Sequence, residues 1–173
     1  MYFYSGASNA REAYDEASYC ISLIRDYQIT YPVAFDWELD GDYDSVTEAC
    51  ETFCNVISSY GYQPMVYSNR NRWYNNFDGE KIASKYKVWM AAYFGKFYYD
   101  SVRWTYGDDL PNFRYHYDMW QYSSRCYVDG ISGQVDVDIA FSAMLTTMLI
   151  LRTLCLRLLT RRLSAHTAME SED

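Results

Sequence analysis

Asp36 and Glu38 are two carboxylates two residues apart, delivered by the apolar run Pro32-Val33-Ala34-Phe35. Side chains alternate along a strand, so both acids point one way and Trp37 points the other. Carboxyl groups this close repel, so one tends to keep its proton near neutral pH while the other stays ionised. An acid and a charge held side by side suit acid-assisted bond cleavage, of which polysaccharide hydrolysis is the commonest case. The plainer reading is a solvated strand end, since Asp40, Asp42 and Asp44 follow. The buried run that carries the pair argues against it. A calcium loop is excluded: the twelfth position of such a loop falls on Thr47, where a bidentate Glu is needed.

Other chemistries find little support. There is no GxSxG elbow, no HExxH and no glycine-rich phosphate loop. The only histidines are His116 and His166, so a Ser or Cys nucleophile lacks a convincing base. His116 reads as a packed or surface residue, and no metal ligand set or cofactor is expected.

The elements that must position the acids follow from periodicity. Residues 1–4 read as the end of a strand. Ala13, Ala17, Cys20, Ile21 and Ile24 give an amphipathic helix from about Asn9 to Asp26. Pro32 to Asp36 is a buried strand. A second helix is predicted over Ser45 to Tyr60, with Ser45 as cap, Glu48 in the capping-box position and Gly61 as stop. Gln63 to Tyr67 is the next strand, and a polar loop runs through Asn69, Asn71, Asn75 and Asn76. Lys87 to Tyr93 is a strand, Gly95 to Phe113 an aromatic loop, and Tyr117–Tyr122 and Gln134–Asp138 are late strands joined around Gly130 and Gly133. Strands alternating with helices and then following one another directly predict a parallel α/β barrel closed by hairpins. Chemistry in such barrels sits where strands end, and Asp36, Glu38, Tyr67, Tyr93, Trp120 and Gln121 all fall there.

The 173 residues suit one domain with a real core, and a net charge of −8 disfavours a nucleic-acid backbone as partner. Aromatics make up 19% of the chain; rings with apolar faces and polar edges suit sugars, although packing accounts for most of them. Five cysteines without a CxxC pair do not make a disulfide scaffold. The chain opens without a secretory signal. Residues 142–163 are rich in Leu, Met, Thr and Arg and hold no aromatic. Residues 142–173 therefore read as an atypical tail, helical or disordered. Arg152 and Arg157 argue against a membrane span, at about 2.5–3.5 kcal/mol each if central. A basic interfacial helix and an out-of-frame segment both remain open for it. A monomer is expected.

Four segments in order carry a family resemblance. Tyr31-Pro32-Val33-Ala34-Phe35-Asp36-Trp37-Glu38 resembles the "P-V-x-x-D-x-E" strand of the family 25 glycoside hydrolases, the N,O-diacetylmuramidase type of lysozyme. Gly61-Tyr62-Gln63-Pro64-Met65-Val66-Tyr67-Ser68 is similar to its "G-Y-x-P-x-I-Y-S" strand, and Val88-Trp89-Met90-Ala91-Ala92-Tyr93 to its "W-x-A-x-Y" strand. Met119-Trp120-Gln121-Tyr122-Ser123-Ser124, followed by residues 128–136, resembles the closing "W-Q-Y-S-S … V-x-G-I-x-G-x-V-D" segment. The resemblance implies a TIM-like (β/α)5(β)3 barrel over residues 1–141, and cleavage of the β-1,4 bond between N-acetylmuramic acid and N-acetylglucosamine in the peptidoglycan of the cell wall. It implies Glu38 as general acid and Asp36 as the group that orients the substrate acetamido in a substrate-assisted, retaining route. Asp136 matches the family's late active-site Asp. Tyr4, Tyr67, Tyr93, Trp120 and Gln121 would line the sugar groove.

The resemblance also implies a departure. Family members begin with two further βα units, the first strand carrying an Asp in a "D-x-S" setting that has no counterpart here. The chain is therefore expected to be a barrel lacking two strands, with impaired activity. The rival expectation is a cell-wall glycan-binding module without catalysis; a glycosidase of different specificity is a third.

Overall fold

The computed structural model describes residues 1–94 and 110–141. The expected tail, and most of the expected aromatic loop, lie outside these residues. Strand β1 (Tyr2–Tyr4) leads into helix α1 (Ala10–Ile24), capped by Asn9, whose side chain accepts from the Glu12 N–H at 3.1 Å. Its buried stripe is Ala13, Ala17, Cys20, Ile21 and Ile24, the residues the periodicity selected. Strand β2 (Val33–Asp36) is buried along its whole length.

Helix α2 (Tyr43–Ser59) begins earlier than expected. Its cap is Asp42, not Ser45: the Asp42 carboxylate accepts from the Ser45 N–H at 3.0 Å and from its hydroxyl at 2.8 Å. A carboxylate at the positive end of a helix outcompetes a hydroxyl three residues on, and it draws Ser45 into the first turn. Gly61, at φ 83°, ends the helix in the left-handed conformation that favours glycine.

Strand β3 (Pro64–Asn69) runs directly into helix α3 (Arg70–Asn75), where a polar loop was expected. Asn69 caps it, accepting from the Arg72 N–H at 3.0 Å, and Trp73 buries its whole side chain against Phe77 and Phe113. A good cap and one large anchor outweigh four asparagines. Helix α4 (Gly79–Ala83), strand β4 (Lys87–Ala91), strand β5 (Met119–Cys126) and strand β6 (Val135–Ala140) complete the described elements.

The six strands form one sheet in chain order, parallel from β1 to β5 with β6 antiparallel to β5. One face carries Phe3, Val33, Phe35, Val66, Val88, Met90, Trp120 and Tyr122, packed into the core that α1 and α2 share. Phe53 of α2 joins the layers, 5.7 Å from Phe3 and 5.0 Å from Phe35 between ring centroids.

The other face is concave. Tyr2 of β1 and Trp89 of β4 are three strand spacings apart, about 14 Å in a flat sheet. Their ring centroids lie 6.4 Å apart. Only a sheet curled toward this face brings them together, so the fold is a mixed α/β half-barrel with helices on its convex side.

Candidate active site

Alternation on the concave face builds the site row by row. Tyr4 stands beside Asp36, Asp36 beside Tyr67, and Tyr67 beside Trp89. In the next row, Ala91 stands beside Gln121, and Gln121 beside Asp138. Asp136 precedes Asp138 by two residues and shares its face. Tyr93 follows the end of β4, and its phenol donates to Gln121 Oε1. Tyr67 donates to the same oxygen at 2.8 Å, so two phenols, one from β3 and one just past β4, fix one amide.

Glu38 lies just beyond β2, and the fold grips the backbone on both sides of it. The buried Ser68 hydroxyl donates to the Trp37 carbonyl at 2.9 Å, and Arg72 Nε donates to the Leu39 carbonyl at 3.1 Å. The Ser5 N–H donates to the Asp36 carbonyl at 2.8 Å. Trp37 is buried in the opposite direction, its indole N–H donating to Ala7 O at 3.1 Å, so the acids take the concave side.

Asp36 is 8% exposed, and among the described residues its Oδ1 has no hydrogen-bond partner. Burial, and then the Glu38 charge, push its pKa from 3.8 up to about 7. Glu38 remains half-buried and Asp136 exposed at the rim. Asp138 is raised to about 6 by burial; the hydrogen bond from Trp89 lowers it and the Asp136 charge raises it. Burial, together with the nearby Tyr93, Glu38 and Asp36, raises Tyr67, and the phenol stays neutral as a donor. The Tyr93 phenol is raised by burial first, with Asp136 and Glu38 adding to it, which puts both of those charges in its field.

Of the expected site residues, Tyr4, Asp36, Glu38, Tyr67, Tyr93, Gln121 and Asp136 come together. Trp120 does not. It is 0% exposed on the convex side, its indole N–H bonded to Ala92 O at 2.9 Å and its ring stacked on Phe94. Gln121 and Trp120 are adjacent in a strand and cannot both face the groove. Trp89, beside Tyr67, is on the concave face. Sequence reasoning missed Asp138, Trp89, Ser68 and Arg72 as site residues; the i, i+2 relation to Asp136 and to Ala91 signals the first two. His116 is exposed, 3.4 Å from Asp118, just before the start of β5 and so away from the strand ends that bear the acids. Among the described residues no group of His, Cys, Asp and Glu is placed to hold a metal ion, and no helix is long and apolar enough to cross a membrane.

The model of the glycosyl hydrolases family 25 matches residues 1–131. The chain is 31% identical over 123 residues to the lysozyme of Streptococcus phage Cp-1, covering 66% of this chain and 32% of that protein. It is 29% identical over 132 residues to a D-alanyl-L-alanine endopeptidase of Streptococcus phage B30, covering 74% and 28%. The chain thus spans about a third of the length of these curated relatives. Among solved structures, the CTP1L endolysin matches with a TM-score of 0.65 and 25% identity, over 83% of this chain and 46% of that one. The modular autolysin LytC of Streptococcus pneumoniae, in complex with a synthetic peptidoglycan ligand, matches at 0.61 and 27%, over 81% and 33%.

Proposed function

The chain belongs to the glycosyl hydrolases family 25, and from that premise we propose that it is a muramidase, hydrolysing the β-1,4 bond between N-acetylmuramic acid and N-acetylglucosamine in peptidoglycan. The observation that carries this reading is the buried Asp36, its pKa raised to about 7 by burial and then by the Glu38 charge, beside Glu38 at the head of an aromatic groove. The named lysozyme and autolysin relatives support it. The endopeptidase relative does not redirect it, because the family whose model matches residues 1–131 is one of glycosyl hydrolases.

In the resting cleft Asp36, the more buried acid, holds the proton. A glycan laid over the half-buried Glu38 strips water from the cleft, and Asp36 passes its proton to Glu38. Glu38 then gives it to the bridging oxygen as the bond to the anomeric carbon breaks. Asp36, now charged, orients the 2-acetamido group, whose carbonyl oxygen closes on the anomeric carbon. Water opens that intermediate with Glu38 taking its proton, and configuration is retained. Asp136, at the rim, adds negative potential where cationic charge develops. Tyr4, Tyr67, Trp89, Tyr93 and Gln121 form the bed for the sugar rings. No cofactor enters this chemistry.

The finer architecture assigned here is the (β/α)5(β)3 barrel, with β1 to β6 as six of its strands. The protein acts as a monomer on cell-wall glycan. The exposed rings of Tyr2, 6.4 Å from Trp89, and of Tyr4 also suit a binding module that performs no cleavage. Borohydride reduction of the digest separates the readings. Muramidase action exposes new N-acetylmuramic acid reducing ends, which borohydride converts to the alditol. Reduced N-acetylglucosamine instead means a different specificity, and binding with no new ends means a module.

A further inference from the structure

The function proposed above does not use Asp138. Its carboxylate accepts a 2.7 Å hydrogen bond from Trp89 Nε1, although burial on the concave face disfavours a charge there. Trp89 is half-buried, and its ring is held on its other sides by Tyr67 at 4.6 Å and Tyr2 at 6.4 Å. An indole serves as a stacking surface for a sugar only when its plane is fixed before the sugar arrives; otherwise the rotamer entropy is lost on binding. Two ring contacts leave the indole free to swing about its long axis. A bond to the nitrogen stops that motion.

We propose that Asp138 is a positioning residue that pins the Trp89 indole as a preformed stacking platform for an N-acetylated hexose unit of the glycan. The proposal rests on the glycan-cleaving reading of the same groove. It explains why a carboxylate that touches no described cationic side chain stands in the groove two residues from Asp136. It also assigns Trp89 the ring-stacking place expected of Trp120. Gln121, directly across from Asp138, is already held by two phenols, so Trp89 is the one hydrogen-bond partner the fold gives this carboxylate among the described residues.

The test uses the full chain carrying Glu38→Gln throughout as the non-cleaving parent, a soluble tetrasaccharide of alternating N-acetylglucosamine and N-acetylmuramic acid, calorimetric Kd values, and the indole N–H resonances. The Trp89 resonance is identified by its disappearance in Trp89→Phe. Asp138→Ala is expected to move that resonance upfield and weaken binding about 5–10-fold, on the order of 1 kcal/mol. Asp138→Asn keeps an oxygen acceptor of the same shape and is expected to restore most of the affinity, which loss of general stability would not do. Trp89→Phe should weaken binding similarly, and adding Asp138→Ala to it should cost nothing more. Parent-like affinity in Asp138→Ala, no rescue by Asp138→Asn, or losses that add in the double variant would each overturn the proposal alone. A parent chain that binds no tetrasaccharide overturns both the platform and the muramidase reading.

Discussion

At the scale of single residues, Asp36 is held in a form the fold disfavours when charged. Its folded pKa of about 7 lies above the 3.8 of an ordinary Asp, so the folded state keeps a proton that the unfolded chain gives up. Stability from this group is fully present below pH 3.8 and is lost as pH rises toward 7. Asp36→Asn removes the titration, and should raise Tm at pH 8 while leaving it nearly unchanged at pH 4. The gain corresponds to roughly 1–3 kcal/mol. Thermal melts at the two pH values check this, and an equal shift at both would contradict it. Hydrolysis should fall as pH rises through about 7, because Asp36 then loses the proton it passes on. The two tryptophans of the β4–β5 region behave oppositely. Trp120→Ala should destabilise the chain by about 3–5 kcal/mol through the cavity it leaves in the core. Denaturant unfolding measures it, and a small change with impaired glycan binding would return Trp120 to the groove. That residue shows what motif reading loses: "W-Q" marks a strand end, while alternation says that only one of the two faces the cleft.

Elements position these residues through backbone contacts that periodicity does not reveal. Helices α1 and α2 were legible, and α3 and α4 were not, because alanine, cysteine and isoleucine recur on one side of the first two only; β2 was legible because its apolar run is short and begins after a proline. The start of α2 and the existence of α3 were not, since both turn on which side chain caps the helix. Asp42 and Asn69 win by reaching N–H groups three residues on. The consequence for the site is direct. Helix α3 presents Arg72 to the Leu39 carbonyl, and with Ser68 it clamps the peptide that carries Glu38. Because Arg72 Nε makes a single exposed contact, Arg72→Ala should cost under about 1 kcal/mol of stability. It should nevertheless lower kcat several-fold, because the general acid loses a fixed position. Steady-state kinetics beside a thermal melt checks it; unchanged kcat would show that Ser68 alone holds the loop.

On the scale of the molecule, the curl of the sheet turns separate strand ends into one groove. No local pattern encodes it. The convergence of Asp36, Tyr67, Tyr93 and Gln121 follows from the order of strands. The approach of Tyr2 to Trp89 follows from accumulated twist, visible only once all strands are paired. Membership in family 25, which rests on residues 1–131, supplies the substrate class proposed here, where geometry alone leaves it at "a glycan". The central claim is that Glu38 delivers a proton to a glycosidic oxygen in this groove. Its most direct test is the release of reducing ends from purified peptidoglycan by the full chain and by Glu38→Gln, side by side at pH 6. The parent should release them and the variant should lose at least about 100-fold, with peptidoglycan binding retained. A silent parent, or a variant as active as the parent, contradicts it.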